Sequence, residues 1–126
     1  MAFDSLELVR LLIRLIREKK GEDLVVLDVR GRSSYTDFIL IASARSARHV
    51  QGLADFLESE TARLGIPPSG VEGLTQGHWV VMDYGDAVVH LFYEPVRQVY
   101  DLEGLWVEAP RIEPEDLQKE ESLVRD

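Results

Sequence analysis

The sequence predicts a single α/β domain, a mixed β-sheet flanked by helices. Three observations carry this. Short runs of β-branched and apolar residues recur at 24–29, 37–42, 78–83 and 86–93, with the length and composition of strands. Two other segments, 5–19 and 46–64, place their apolar residues at helical spacing. A chain of 126 residues, 45% of them hydrophobic, fills one core and leaves little room for a second. Strand, helix and further strands in alternation are the mark of a layered α/β arrangement.

The first helix spans roughly 5–19. Asp4 or Ser5 can cap its free amides, Lys19 and Lys20 suit its negative end, and Gly21 can take the left-handed stop. Leu6, Val9, Leu12, Ile13 and Ile16 form its stripe, which Leu8, Leu11 and Leu15 widen beyond one core contact. The width fits a helix wedged between the sheet and a neighbour, or one that meets a second copy of the chain. Residues 24–29 then read as a nearly continuous apolar strand. A polar loop, 30–36, leads into 37–42, apolar on both faces as a central strand covered on both sides would be. Ser46 opens the clearest helix. Val50, Leu53, Ala54, Leu57, Thr61 and Leu64 form one stripe, Gly65 ends it, and Pro67-Pro68 prevents its resumption.

After a short candidate strand at Val71-Glu72-Gly73, the runs 78–83 and 86–93 flank Tyr84-Gly85 and predict a hairpin. With those two residues as the loop, Met82 pairs with Ala87, Val81 with Val88 and Trp79 with His90. Period two then separates a core face (Val80, Met82, Ala87, Val89, Leu91) from a second face carrying Trp79, Val81, Val88 and His90, with Asp83 opposite Asp86 at the tip. A short helix near Pro95, with Val96, Val99 and Tyr100 inward, precedes Leu105-Trp106. From Val107 onward the composition turns acidic and proline-containing. Residues 1–109 are read as the domain and 110–126 as a solvated acidic tail, with room for a short helix around 115–124.

Composition limits the chemistry. Lys plus Arg is 14 against 23 for Asp plus Glu, a net charge of −9, which argues against a phosphate backbone as the main partner. Zero cysteines exclude disulfides, thiolate metal sites and cysteine nucleophiles. The amino terminus lacks the pattern of a signal peptide, and no apolar run is long enough to cross a bilayer, so a cytoplasmic location is expected. Among candidate metal ligands, Asp83 and Asp86 can hold a hydrated Mg²⁺, but His78 and His90 point to opposite faces; acids solvating a turn tip explain the pair more simply. Ser33, Ser34 and Thr36 near Asp37 lack a G-x-S-x-G elbow, and no P-loop or dinucleotide fingerprint is present. No catalytic residue, metal or cofactor is therefore assigned. Arg30, Arg32, Arg45 and Arg48 are the concentrated positive charge. They pair with acids of the same chain, or they make secondary contacts to RNA beside the helix start at Ser46.

The second hairpin face is the stronger signal. A helix can cover it, yet buried aspartates and a histidine would then each need a partner. An aromatic centre with a charged rim is what protein interfaces use, so Trp79, Asp83, Tyr84, Asp86, Val88 and His90 are the candidate partner-binding residues.

Residues 27–38 (Leu-Asp-Val-Arg-Gly-Arg-Ser-Ser-Tyr-Thr-Asp-Phe), Ser46 to Val50, Glu72-Gly73, residues 79–90 (Trp-Val-Val-Met-Asp-Tyr-Gly-Asp-Ala-Val-Val-His), Tyr100-Asp101-Leu102-Glu103 and Leu105-Trp106 together resemble the ribosomal silencing factor (Iojap-like) family, in order, over about residues 5–109. One departure is Ala44-Arg45, where the family usually has Gly-Thr. The resemblance implies a nucleotidyltransferase-like architecture without its catalytic motif. It also implies a non-enzymatic translational repressor that binds the large ribosomal subunit through its fourteenth ribosomal protein and blocks joining of the small subunit when nutrients are scarce. A linked role in large-subunit maturation is implied too. The six candidate residues fall in the segment that matches the family's partner-binding region.

Overall fold

The computed structural model describes residues 4–117 of the chain. Helix α1 (Ser5–Glu18) starts at a capping box. The Asp4 carboxylate accepts from the Glu7 N–H at 2.8 Å, and the Glu7 carboxylate accepts from the Asp4 N–H at 3.3 Å. Lys20, not Gly21, takes the left-handed conformation at its end, with φ 63°. Gly21 is needed for close approach instead, since a Cβ there would lie 2.5 Å from Ile16 Cγ2.

Strand β1 (Glu22–Asp28) runs antiparallel to β2 (Phe38–Ala44), with one extra β1 residue between Glu22 and Val25 that forms a bulge. All seven β2 residues are buried, as expected for a central strand. Helix α2 (Ala47–Arg63) is capped by Ser46, whose Oγ accepts from the His49 N–H, and buries Val50, Leu53, Ala54, Leu57 and Thr61. Leu64 lies past its last turn and is exposed. Strands β3 (Gly70–Glu72), β4 (Trp79–Asp83) and β5 (Ala87–Tyr93) follow, then α3 (Glu94–Tyr100), α4 (Leu102–Leu105) and β6 (Arg111–Ile112).

The sheet order is β3-β4-β5-β2-β1-β6. Only β2 and β5 are parallel, with α2 among the elements that connect them; the other pairs are antiparallel. Helices α1 and α2 cover one face through Phe38, Leu40, Ala42, Val80, Met82, Val89 and Leu91. Val96 of α3, Leu102 of α4, Trp106 and Ala109 pack over the other, on Leu27, Val29, Ile39, Ile41 and Phe92.

Four expectations need correction here. The hairpin turns on Gly85-Asp86: the Tyr84 N–H donates to the Ala87 carbonyl at 2.9 Å, and Asp83 pairs with Val88, Val81 with His90 and Trp79 with Phe92. Each pairing therefore moves by two residues, which preserves both faces but separates Asp83 from Asp86. Second, Val99 and Tyr100 are exposed, and the buried α3 side chain is Arg97. Third, the stretch beginning at Pro110 is not solvated throughout. The Pro110 carbonyl accepts from Asp28, β6 extends the sheet at β1, and Leu117 is buried in the α1 cluster, where its carbonyl accepts from Arg10 Nε at 3.2 Å. The wide α1 stripe is thus filled within the chain, by sheet, α2 and Leu117; burying such side chains stabilises by about 1.5–3 kcal/mol each. The helix expected around 115–124 falls mostly outside the described residues.

The fourth correction concerns the arginines. Because β1 and β2 are antiparallel, Arg30 and Arg32 leave one end of the pair and Arg45 and Arg48 the other, about 20 Å apart for strands of this length. Arg30 pairs with Asp28 through both Nε (3.0 Å) and Nη2 (2.7 Å) and lies over the Phe38 ring, while Arg45 pairs with Glu22. The four do not form one patch.

Candidate functional site

The outer face of β4 and β5 is built by strand alternation. Trp79 and Val81 from β4 stand beside Phe92 and His90 from β5, all on the face that α3 only partly covers. Trp79 stacks on Phe92 with ring centroids 5.0 Å apart and meets Tyr100 of α3 at 4.6 Å. Its indole Nε1–H donates to His90 Nδ1 at 3.1 Å. An indole nitrogen can only donate, so His90 carries its own proton on Nε2. Burial pushes the His90 imidazole down to about 4, which keeps it neutral near pH 7.

Tyr100, although 56% exposed, closes one side of a groove of about 720 Å³. Trp79, Pro95, Val96, Val99 and His78 line the rest together with the loop residues Gly73, Thr75 and Gln76. Val99 is 79% exposed, and Leu105 and Val107 are exposed to a similar degree. The segment 70–101, which supplies every residue lining the groove, contains five acids (Glu72, Asp83, Asp86, Glu94, Asp101) and, of Lys and Arg, only Arg97.

That base is spent internally. Arg97 Nε and Nη2 donate to the two Glu103 oxygens at 3.1 and 3.2 Å. Its Nη1 donates to the Ser43 hydroxyl and the Asp23 carbonyl, each at 2.8 Å. Asp23 sits in the β1 bulge with φ 51°, so the bulge presents the carbonyl that Arg97 takes. The clamp ties the α3–α4 turn, and with it Tyr100, to strands β1 and β2.

The six candidate residues do not share one surface. Trp79 is half-buried at the groove. Val88 and His90 lie on the same face, but only 4% and 8% exposed. Asp83 and Asp86 are exposed at the hairpin end, where the Asp83 carboxylate accepts from the Gly85 N–H at 2.8 Å. Tyr84 points to the opposite face: its hydroxyl meets Thr61 Oγ1 of α2 at 3.0 Å, and burial raises its pKa to about 12. Even spacing from Val80 and Met82 already assigns Tyr84 to that face. Tyr100, Val99 and Phe92 are the site residues that sequence reasoning did not select. The composition around Pro95 gives no sign that Arg97, an ordinarily exposed type, turns inward and leaves Val99 outside.

Among the described residues, no three of His, Asp and Glu gather where a metal ion could be held. No helix among them is long and apolar enough to cross a membrane.

A family model described as "Ribosomal silencing factor during starvation" matches residues 2–125. A ribosomal silencing factor from Halalkalibacterium halodurans is 39% identical over 109 residues, covering 86% of this chain and 93% of that protein. A mouse protein named mitochondrial assembly of ribosomal large subunit protein 1 is 31% identical over 101 residues, which cover 78% of this chain and 44% of the mouse protein. A crystal structure of a Chromobacterium violaceum protein superposes with a TM-score of 0.80 at 34% identity, covering 82% of this chain and 87% of the other.

Proposed function

The chain belongs to the ribosomal silencing factor family, and from that premise we propose that it binds the large ribosomal subunit through the fourteenth ribosomal protein and blocks joining of the small subunit by occupying space. The observation that carries the reading is the Trp79–Tyr100 shelf beside a partly apolar groove, built from a segment with five acids and one internally paired base. Large amphipathic rings at low entropic cost are the usual anchors of protein interfaces. The acidic surroundings favour a basic partner such as a ribosomal protein and disfavour bare RNA, so charge steers the factor toward a protein seat on an otherwise repelling particle.

Steric competition needs no catalytic group and no cofactor, and it takes place in the cytoplasm. The same seat serves during subunit maturation, in keeping with the name of the mouse relative. Contacts from Asp83 and Asp86 belong to the rim, where they govern association rate more than affinity. Arg32 and Arg48, exposed at opposite ends of the β1–β2 pair, are available for separate secondary contacts with RNA.

The test is sedimentation of the protein with separated ribosomal subunits, wild type beside Trp79→Ala. Co-migration with the large subunit alone is expected, with affinity falling about 30-fold in the variant, the equivalent of about 2 kcal/mol. Binding to neither subunit would refute the reading. Undiminished binding by a folded Trp79→Ala would move the seat away from this shelf.

A further inference from the structure

We propose that His90 is a positioning residue for Trp79: its Nδ1 takes the indole N–H and holds the ring in the one orientation that completes the groove. The inference rests on the docking role proposed above for this shelf.

The geometry separates the two side chains into different jobs. His90 is 8% exposed, too enclosed by its own protein to offer a partner much surface. Trp79 is half-buried and lines the groove. The rings sit on adjacent strands one diagonal apart, His90 opposite Val81 and Trp79 opposite Phe92, with centroids 6.0 Å apart. The link between them is a directional hydrogen bond, and its 3.1 Å length is ordinary for a nitrogen pair. Phe92 and Tyr100 bracket the indole at 5.0 and 4.6 Å but bear no polar atom on it. Stacking alone permits an indole to slide or turn over in its slot, whereas an acceptor at one edge selects a single rotamer.

A histidine suits the position because it can stand neutral in a half-apolar place and still accept. Burial disfavours its charged form, and Nδ1 remains an acceptor only while the ring is neutral. A preset ring loses less freedom when a partner seats on it, so the contribution of His90 is to pre-organisation.

Two-dimensional ¹H–¹⁵N spectra of the free protein resolve the two indole N–H resonances, assigned with Trp106→Phe. In His90→Leu the Trp79 indole resonance is expected to move upfield and its solvent exchange to rise at least about tenfold, while large-subunit affinity falls about five- to tenfold, the worth of one neutral hydrogen bond. His90→Asn, whose Oδ1 falls near the place of Nδ1, is expected to restore resonance, exchange and affinity together. His90→Phe replaces the leucine variant should that one not fold. An unmoved indole resonance in the variants lacking the acceptor would overturn the proposal, and so would a moved resonance with unchanged affinity. Asparagine that restores the resonance but not the affinity would make His90 a contact in its own right and would also overturn it. Absence of wild-type binding to the large subunit would instead refute the docking reading, and with it the affinity half of this proposal; the resonances would still report the hold of His90 on Trp79.

Discussion

Replacing Glu103 by glutamine leaves the shape of the Arg97 clamp and removes its counter-charge. The Arg97 side chain is 10% exposed and that of Glu103 22%, so the cation is the member that cannot regain water. Breaking a buried ion pair from one side costs about 3–5 kcal/mol, and the partial exposure of Glu103 brings the expectation to about 3 kcal/mol for Glu103→Gln. Arg97→Met removes four donors and strands the Ser43 hydroxyl, only 2% exposed, so it is expected to cost about 3 kcal/mol as well. The double variant Arg97→Met/Glu103→Gln buries no charge and leaves the Ser43 and Asp23 acceptors unpaired, for a cost of about 2 kcal/mol. The singles and the double are thus non-additive by about 4 kcal/mol. Urea unfolding followed by tryptophan fluorescence at pH 7 measures all four proteins. A loss below about 1 kcal/mol for Glu103→Gln, or a double variant equal to the sum of the singles, would refute the clamp.

Other outcomes follow from the same geometry. In the folded chain burial keeps His90 from taking up its second proton, on Nδ1, until about pH 4, whereas unfolded it takes that proton at the usual 6.5; stability is therefore full above pH 6.5 and falls by about 3 kcal/mol as the pH drops toward 4. Unfolding midpoints at pH 7 and 4.5 check this, and His90→Asn should flatten the slope in that window. Gly73 has φ 86°, and a Cβ there would lie 2.0 Å from the Trp79 carbonyl, so Gly73→Ala should destabilise by more than about 2 kcal/mol and displace the start of β4, read as a fall in thermal midpoint. Tyr84→Phe leaves Thr61 bonded to the Leu57 carbonyl at 2.8 Å and should cost only about 1 kcal/mol without altering subunit binding, since the phenol faces α2.

The main helices and strands were legible where period and burial agree. Leu12, Ile13 and Ile16 on α1, Val50 to Thr61 on α2 and the unbroken apolar run of β2 each have one way to be covered. The hairpin faces were legible too, because a register error of two residues leaves alternation intact. Its register was not, since Tyr84-Gly85 and Gly85-Asp86 both supply a glycine and only backbone closure chooses between them. Leu117 and β6 were hidden by acidic neighbours, which weigh composition toward solvent although two residues suffice to pair with β1. At the site, Trp79 stood out by type. Tyr100 and Arg97 did not, because their exchange of inside and outside is decided by Glu103, Ser43 and the bulge at Asp23, a polar arrangement that hydrophobic spacing cannot register.

The sheet order also dictates how the chain reaches this state. The middle of the sheet joins Phe38–Ala44 to Ala87–Tyr93, and its far edge joins Val26 and Leu27 to Ile112 and Arg111. Neither pairing can form from local chain, so loop-closure entropy must be met before those contacts return anything. Folding should accordingly be a slow, single cooperative step that waits for β5. During synthesis α1, β1, β2 and α2 emerge first without the strand that shields β2, leaving an apolar edge open until Tyr93 has left the ribosome.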